Sequence, residues 1–258
     1  MRAYGPGGYG LIPDSPGLVT KSAAPFLALV GAGIIPSSAS IPHAPIKDQY
    51  PVSACVGFAA AGALETAFAA HGQPITPRSG QGIYTLARCA ERAAGASLDD
   101  RGSVPWVAMQ ALTDWGAPSE AAWAFDPSSV NSEPRLDELE AADMFKLRGF
   151  YRVDSFGTER LDAIKTAIAA GHPCFFATSV DAAFEQWNGH GVISSEAGPS
   201  LGGHAMYMTA FSETASGLVV EITNSWGLGW GRDGTGLVDE SFIAGCSSIY
   251  VIDPAVVS

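Results

Sequence analysis

The chain has 258 residues, 47% of them hydrophobic, which suffices for one sizeable core or for two lobes sharing a cleft. Its formal charge of −12, with 14 basic residues and no dense basic run, excludes the electrostatic footprint of a nucleic-acid binder. No segment reaches the roughly eighteen apolar residues of a membrane span, and the nearest, 23–35, is broken by Pro25 and by glycines.

Residues 1–45 read as a leader. Gly5-Pro6-Gly7-Gly8-Tyr9-Gly10-Leu11-Ile12-Pro13-Asp14 holds too many turn-formers for helix or strand. As a secretion signal the leader is unusual, because Gly- and Pro-rich residues precede its apolar stretch and only Arg2 and Lys21 are basic.

From Cys55 the positions Val56, Phe58, Ala59, Leu64, Ala67 and Phe68 are apolar nearly all round, which predicts a buried helix over 55–70 stopped by His71-Gly72. Helices over 79–94 and 104–115 follow, with shorter ones near Ser119-Glu120 and over 137–142. Beyond Phe145 the texture becomes alternating and β-branched. Strands are predicted over 149–155, 173–180, 205–212, 218–223, 236–238 and 248–252, around one helix at 161–170. A helical lobe at about 46–145 followed by an antiparallel sheet lobe at about 146–258 is an α+β arrangement, and the cleft between such lobes suits a peptide.

Cys55 is the most informative residue. A thiol in the first turn of a helix sits over the positive end of the helix dipole, which favours the thiolate, the nucleophilic form. The other cysteines, Cys89, Cys174 and Cys246, fall in hydrophobic surroundings and read as core thiols. A fold without disulfides fits a reducing compartment and favours a cytoplasmic over a secreted location. No Cys or His pair has a metal-ligand spacing, so neither a metal nor a cofactor is expected. His190, in Asn188-Gly189-His190-Gly191, reads as an exposed loop, and Gly227 to Gly234 as a turn before a strand rather than a nucleotide loop.

Gln49 precedes Cys55 in Lys47-Asp48-Gln49-Tyr50-Pro51-Val52-Ser53-Ala54-Cys55. His204 stands in Gly202-Gly203-His204-Ala205-Met206, and Asn224 opens Asn224-Ser225-Trp226-Gly227. Taken in this order, with His204 149 residues past Cys55 and Asn224 20 further on, the motifs resemble the papain family of cysteine peptidases. The resemblance extends over most of 45–252, through Gly102, Pro105-Trp106 and Gly229-Trp230-Gly231. It departs at the nucleophile, where Ser53-Ala54-Cys55-Val56 replaces the family's Cys-Gly-Ser-Cys-Trp, and at Ser103, which replaces a glycine.

The resemblance implies a papain-like two-lobe fold with a barrel-like C-terminal lobe. Cys55 is then the nucleophile, His204 the proton carrier, Asn224 its orienting partner, and Gln49 an oxyanion donor. Gly102 and Ser103 would pair with the substrate backbone, Ala205 would line a subsite, and Trp226 would cover the His204–Asn224 contact. Tyr9-Gly10-Leu11-Ile12-Pro13-Asp14 resembles the leader of bacterial members, which implies an arm across the cleft in place of a disordered tail. The expected activity is hydrolysis of peptide or protein substrates through a thioester. The rivals are a thiol amidase or transferase on the same site and a non-catalytic peptide-binding domain.

Overall fold

The computed structural model describes residues 9–15, 18, 20–31, 33–142, 145–195 and 198–255; the opening of the leader, residues 1–8, lies outside them. In chain order the elements are α1 (Ala23–Val30), β1 (Ser38–Ser40), α2 (Cys55–Ala70), α3 (Gly80–Glu91), α4 (Pro105–Asp114), a 3-10 turn (Pro127–Ser129) and α5 (Leu136–Glu140). Then come β2 (Leu147–Arg152), α6 (Gly157–Ala169), β3 (Cys174–Asp181), α7 (Ala182–Glu185), β4 (Ser200–Thr214), β5 (Gly217–Thr223), β6 (Thr235–Asp239), α8 (Glu240–Ala244) and β7 (Ser248–Pro254).

The strands form one antiparallel sheet in the order β2-β7-β3-β4-β5-β6, with β1 added to β4. The expected barrel does not close: β2 and β6 remain opposite ends of the ladder, so the second lobe is an open sheet. Its longest strand, β4, pairs with β3, β5 and β1, and so fixes the height of His204 from several sides. The α+β class and the two-lobe arrangement hold.

Helix α2 is the seam between the lobes. Every residue from Cys55 to Phe68 is buried, including the polar Glu65 and Thr66, because α3 and α4 cover one side and the sheet the other. Small residues make that possible, since Ala59, Ala60, Ala61 and Ala63 let neighbouring backbones approach while Leu64 and Phe68 fill the gaps. Glu65 is held in this apolar setting by Lys47 at 2.8 Å; burial raises its carboxyl pKa, and the lysine opposes the rise.

Several boundaries differ from the sequence reading. The start of the apolar stretch forms α1 (Ala23–Val30), whose Ala23 and Leu27 join Ile164 and Ile168 of α6 in the core of the sheet lobe. β1 and Ile41 belong to that lobe too, so much of the leader is built into the second lobe. No helix forms at Ser119-Glu120; Ser119 instead bridges to Arg78. β4 starts at Ser200, earlier than its alternation shows, because glycines 202 and 203 carry no side chain to mark a face. Among the described residues no helix is long and apolar enough to cross a membrane.

Leu64 is fully buried where the two lobes meet α2. Leu64→Ala is expected to cost about 2–5 kcal/mol of stability, read as a lower urea midpoint at an unchanged slope.

Candidate active site

Cys55 occupies the first turn of α2, and its backbone is set by the preceding loop. The Ser53 N–H donates to both oxygens of Asp100, at 3.0 and 3.1 Å, and the Tyr84 hydroxyl donates to the same carboxylate at 2.8 Å. Tyr84 then accepts the Gly102 N–H at 2.9 Å. One buried phenol and one carboxylate thus tie the loop before Cys55 to the segment bearing Gly102 and Ser103. Sequence reasoning missed both residues, since neither stands in a motif.

Across the seam, β4 carries His204 and the end of β5 carries Asn224. The His204 Nε2–H donates to Asn224 Oδ1 at 2.7 Å, because the amide oxygen can only accept. This fixes the tautomer with a lone pair on Nδ1, which has no hydrogen-bond partner among the described residues. Trp226 stacks on the imidazole, centroids 4.5 Å apart and planes 29° from parallel, and screens the His204–Asn224 contact from water. Gln49 is fully buried; its Oε1 accepts the Ser225 hydroxyl at 2.6 Å and its Nε2 donates to the Val52 carbonyl at 3.0 Å. Ser225, inside the Asn-Ser-Trp-Gly motif, is therefore what orients the Gln49 amide.

Residues 10–14 of the same chain run through this cleft. Ser103 N–H donates to Gly10 O at 2.9 Å, Ile12 N–H to Ser103 O at 3.0 Å, and Leu11 N–H to Gly203 O at 3.3 Å. The pairing of Leu11 with Ser103 is parallel. Gly10 cannot be another residue: a Cβ there would lie 1.6 Å from the Ser53 carbonyl oxygen. Gly102, at φ +97°, faces the arm with the same economy, since its Cβ would stand 2.2 Å from Gly10 O. Beyond it, Asp14 anchors the arm. Its carboxylate accepts the Trp106 N–H in the first turn of α4 at 3.0 Å and the Ser248 and Tyr250 hydroxyls at 2.6 Å each.

Burial decides the charge state of the site. Cys55 and His204 are both without exposed surface. Burial pushes the Cys55 thiol up to about 11, although the backbone N–H groups of Gly10, Ala205, Val56 and Cys55 itself point at the sulfur and oppose the rise. Burial likewise takes His204 down to about 4 against the opposing pull of Asn224. The dipole argument for a thiolate is outweighed here, because a helix end is worth about 0.3–2 kcal/mol and desolvation of a charge more. In the covered cleft, then, the pair is neutral thiol and neutral imidazole.

The remaining expectations sort as follows. Ala205 reaches Cys55 through its N–H, while its side chain is buried with the helical lobe rather than lining an open pocket. His190 lies in an exposed loop, where its backbone oxygen accepts from Trp187 Nε1 at 3.0 Å and its backbone N–H donates to Asn188 Oδ1 at 3.2 Å. All four cysteines are free; Cys174 and Cys246 are core, whereas Cys89 is half-exposed because α3 turns that face outward near its C-terminus. No group of three or more metal-ligating side chains exists among the described residues.

A family model for papain family cysteine proteases matches residues 37–247. The chain belongs to that family. Its fold is similar to xylellain, a cysteine protease from Xylella fastidiosa, at 22% identity and a TM-score of 0.82 over 98% of each chain. It is similar also to procathepsin B S9 from Trypanosoma congolense, at 15% identity and a TM-score of 0.72 over 96% of this chain and 87% of that one. The bromelain protease of Ananas comosus in complex with the E64 inhibitor gives 20% identity and a TM-score of 0.67 over 85% and 99%. No curated protein matches the chain by sequence.

Because the thiol in the covered cleft is held near 11, iodoacetamide labelling of Cys55 in the full-length chain is expected to keep rising with pH toward that value. A plateau already reached near neutrality would show a thiolate, and with it an uncovered site.

Proposed function

We propose that this papain family protease hydrolyses peptide bonds through Cys55, His204 and Asn224, and that its own N-terminal arm, residues 1–45, restrains it. The observation that carries the reading is the peptide backbone of residues 10–12 hydrogen-bonded to Ser103 and Gly203 beside the Cys55 thiol. A cleft that takes an extended chain on those groups has the donors and acceptors for a substrate chain. The peptidase domain is residues 46–258, divided near 145.

In turnover, the His204 Nδ1 lone pair takes the Cys55 proton and the sulfur attacks the scissile carbonyl carbon. The Gln49 amide and the Cys55 backbone N–H hold the resulting oxyanion. His204 then gives its proton to the leaving amine nitrogen as the C–N bond breaks, leaving a thioester. Water, deprotonated by the same imidazole, attacks the thioester, and the thiol is regenerated as the acid departs. Asn224 keeps the ring in plane throughout, and no cofactor enters any step.

The arm escapes this chemistry for a geometric reason. It presents the Gly10 N–H to the sulfur, a donor where a substrate must present an electrophilic carbon. Its alignment with Ser103 is parallel.

A fluorogenic tripeptidyl amide under reducing conditions tests the reading. Cys55→Ala is expected to abolish turnover with the fold intact, and Asn224→Ala to lower kcat about ten- to a few-hundred-fold, since it orients the base and carries no proton. Wild-type rates in Cys55→Ala would sink the assignment.

For the arm, Asp14→Ala removes a carboxylate that accepts three hydrogen bonds. It is expected to raise kcat/KM and the labelling rate of Cys55 about tenfold or more, and added peptide of residues 1–40 should reverse the gain. Unchanged rates in a folded Asp14→Ala protein would leave the arm without a regulatory role.

A further inference from the structure

A cavity of about 420 Å³ lies at the end of β2. Leu18 and Thr20 of the leader form one wall, and Arg152, Arg160, Ala244 and Ser247 of the sheet lobe contribute to the others. The Arg152 N–H donates to Lys21 O at 2.8 Å, and Ser22 bridges to Arg152. The cavity is thus complete only with the leader laid against β2.

Its charge runs against that of the chain, which is −12 overall, because two guanidinium groups face one carboxylate, Asp154. Arg160 is only 7% exposed. Its Nε donates to Ser155 O at 2.9 Å, and its Nη1 to the carbonyls of Cys246, Ile243 and Ala244 at 3.2, 3.3 and 3.5 Å. Those carbonyls are dipoles rather than counter-ions, and the Nη2 donors have no protein acceptor among the described residues. Arg152 lies close enough for its charge to be felt by both Arg160 and Tyr250. Burial lowers the Arg160 pKa; the Cys246 thiol opposes this and the Arg152 charge adds to it. The guanidinium stays protonated all the same.

Asp154 does not resolve the imbalance. Its carboxylate accepts the Ser22 hydroxyl at 3.1 Å, and among the described residues neither arginine has a carboxylate in ion-pair contact. Helix α6 starts at the same wall, where its N-cap Phe156 supplies no side-chain cap, so the positive end of the helix adds to the field. Glu159, the acid of that first turn, lines the separate groove between α1 and α6. A buried charge is normally paired, and here two of like sign are neighbours. Guanidinium forks match the oxygens of a tetrahedral oxyanion, and two of them match a double charge. The volume admits such an ion with several waters, each about 30 Å³ in the liquid.

We propose that Arg152 and Arg160 form a binding site for a doubly charged tetrahedral oxyanion, inorganic phosphate or sulfate, at the junction of the leader and the sheet lobe. The site stands apart from the peptidase reading and uses none of its residues.

Calorimetric titration of phosphate, sulfate and acetate into the full-length protein tests it, at mildly alkaline pH and constant ionic strength in chloride. Phosphate and sulfate are expected to bind at one site, at least about tenfold more tightly than acetate, whose single charge leaves one guanidinium unpaired. Their affinity should fall as chloride rises. Arg152→Gln should weaken phosphate at least about tenfold, and Arg152→Lys, which keeps the charge and loses the fork, should weaken it less. Arg101→Gln, which removes an exposed arginine paired with Asp99, should leave binding unchanged. The melting temperature of the wild type should rise with phosphate more than that of Arg152→Gln does. Absence of phosphate and sulfate binding, equal affinity for acetate, or undiminished binding in both Arg152 variants would overturn the proposal.

Discussion

Water is kept from the Cys55 sulfur by a strand of the same chain, and most of what distinguishes this molecule follows from that contact. The arm passes so close that its backbone lies against Ser53 and Gly102, which is why position 10 holds a glycine and why Gly102 opposite also lacks a side chain. Removing water raises the thiol and lowers the imidazole, so the pair is stored as neutral groups rather than as an ion pair. The sign for His204 follows directly. A ring whose pKa is depressed by burial favours the covered state above about 6.5, and that preference is lost as the pH falls toward 4. Acid thus works in the direction of uncovering, through the group proposed to carry protons in turnover.

Holding such a site requires both lobes at once. Cys55 belongs to the helical seam and His204 to the sheet, and no local segment can bring them together. The structure positions them through buried polar groups: Asp100 and Tyr84 on the helical side, Ser225 and Gln49 across the boundary. Buried hydrogen bonds of this kind are costly to leave unmade, so each fixes a backbone position rather than adding much net stability. Trp226 lies on the imidazole and shields it.

The motif residues were legible because their chemistry is carried by residue type and order. Cys55 at a helix start, His204 on a strand, Asn224 before Ser225-Trp226, and the α+β division near residue 145 all followed from pattern and from family likeness. The buried helix α2 was legible for the same reason, since a run apolar on every face has only one stable setting. Helix α1 was not, because glycine and proline around an apolar stretch suit a tail as well as a docked helix, and packing on α6 is what selects the helix.

Sequence by itself therefore determined the motif residues and their order, and the class of fold that contains them. It did not determine their protonation, the open edge of the sheet, the course of residues 10–14, or the arginine-lined cavity. Those depend on distances between residues far apart in the chain: Asp14 to Tyr250, Arg160 to Cys246, Gly10 to Ser53. A pKa is set by the water and charges around a group, and local pattern in a sequence does not specify which distant segment takes the water's place.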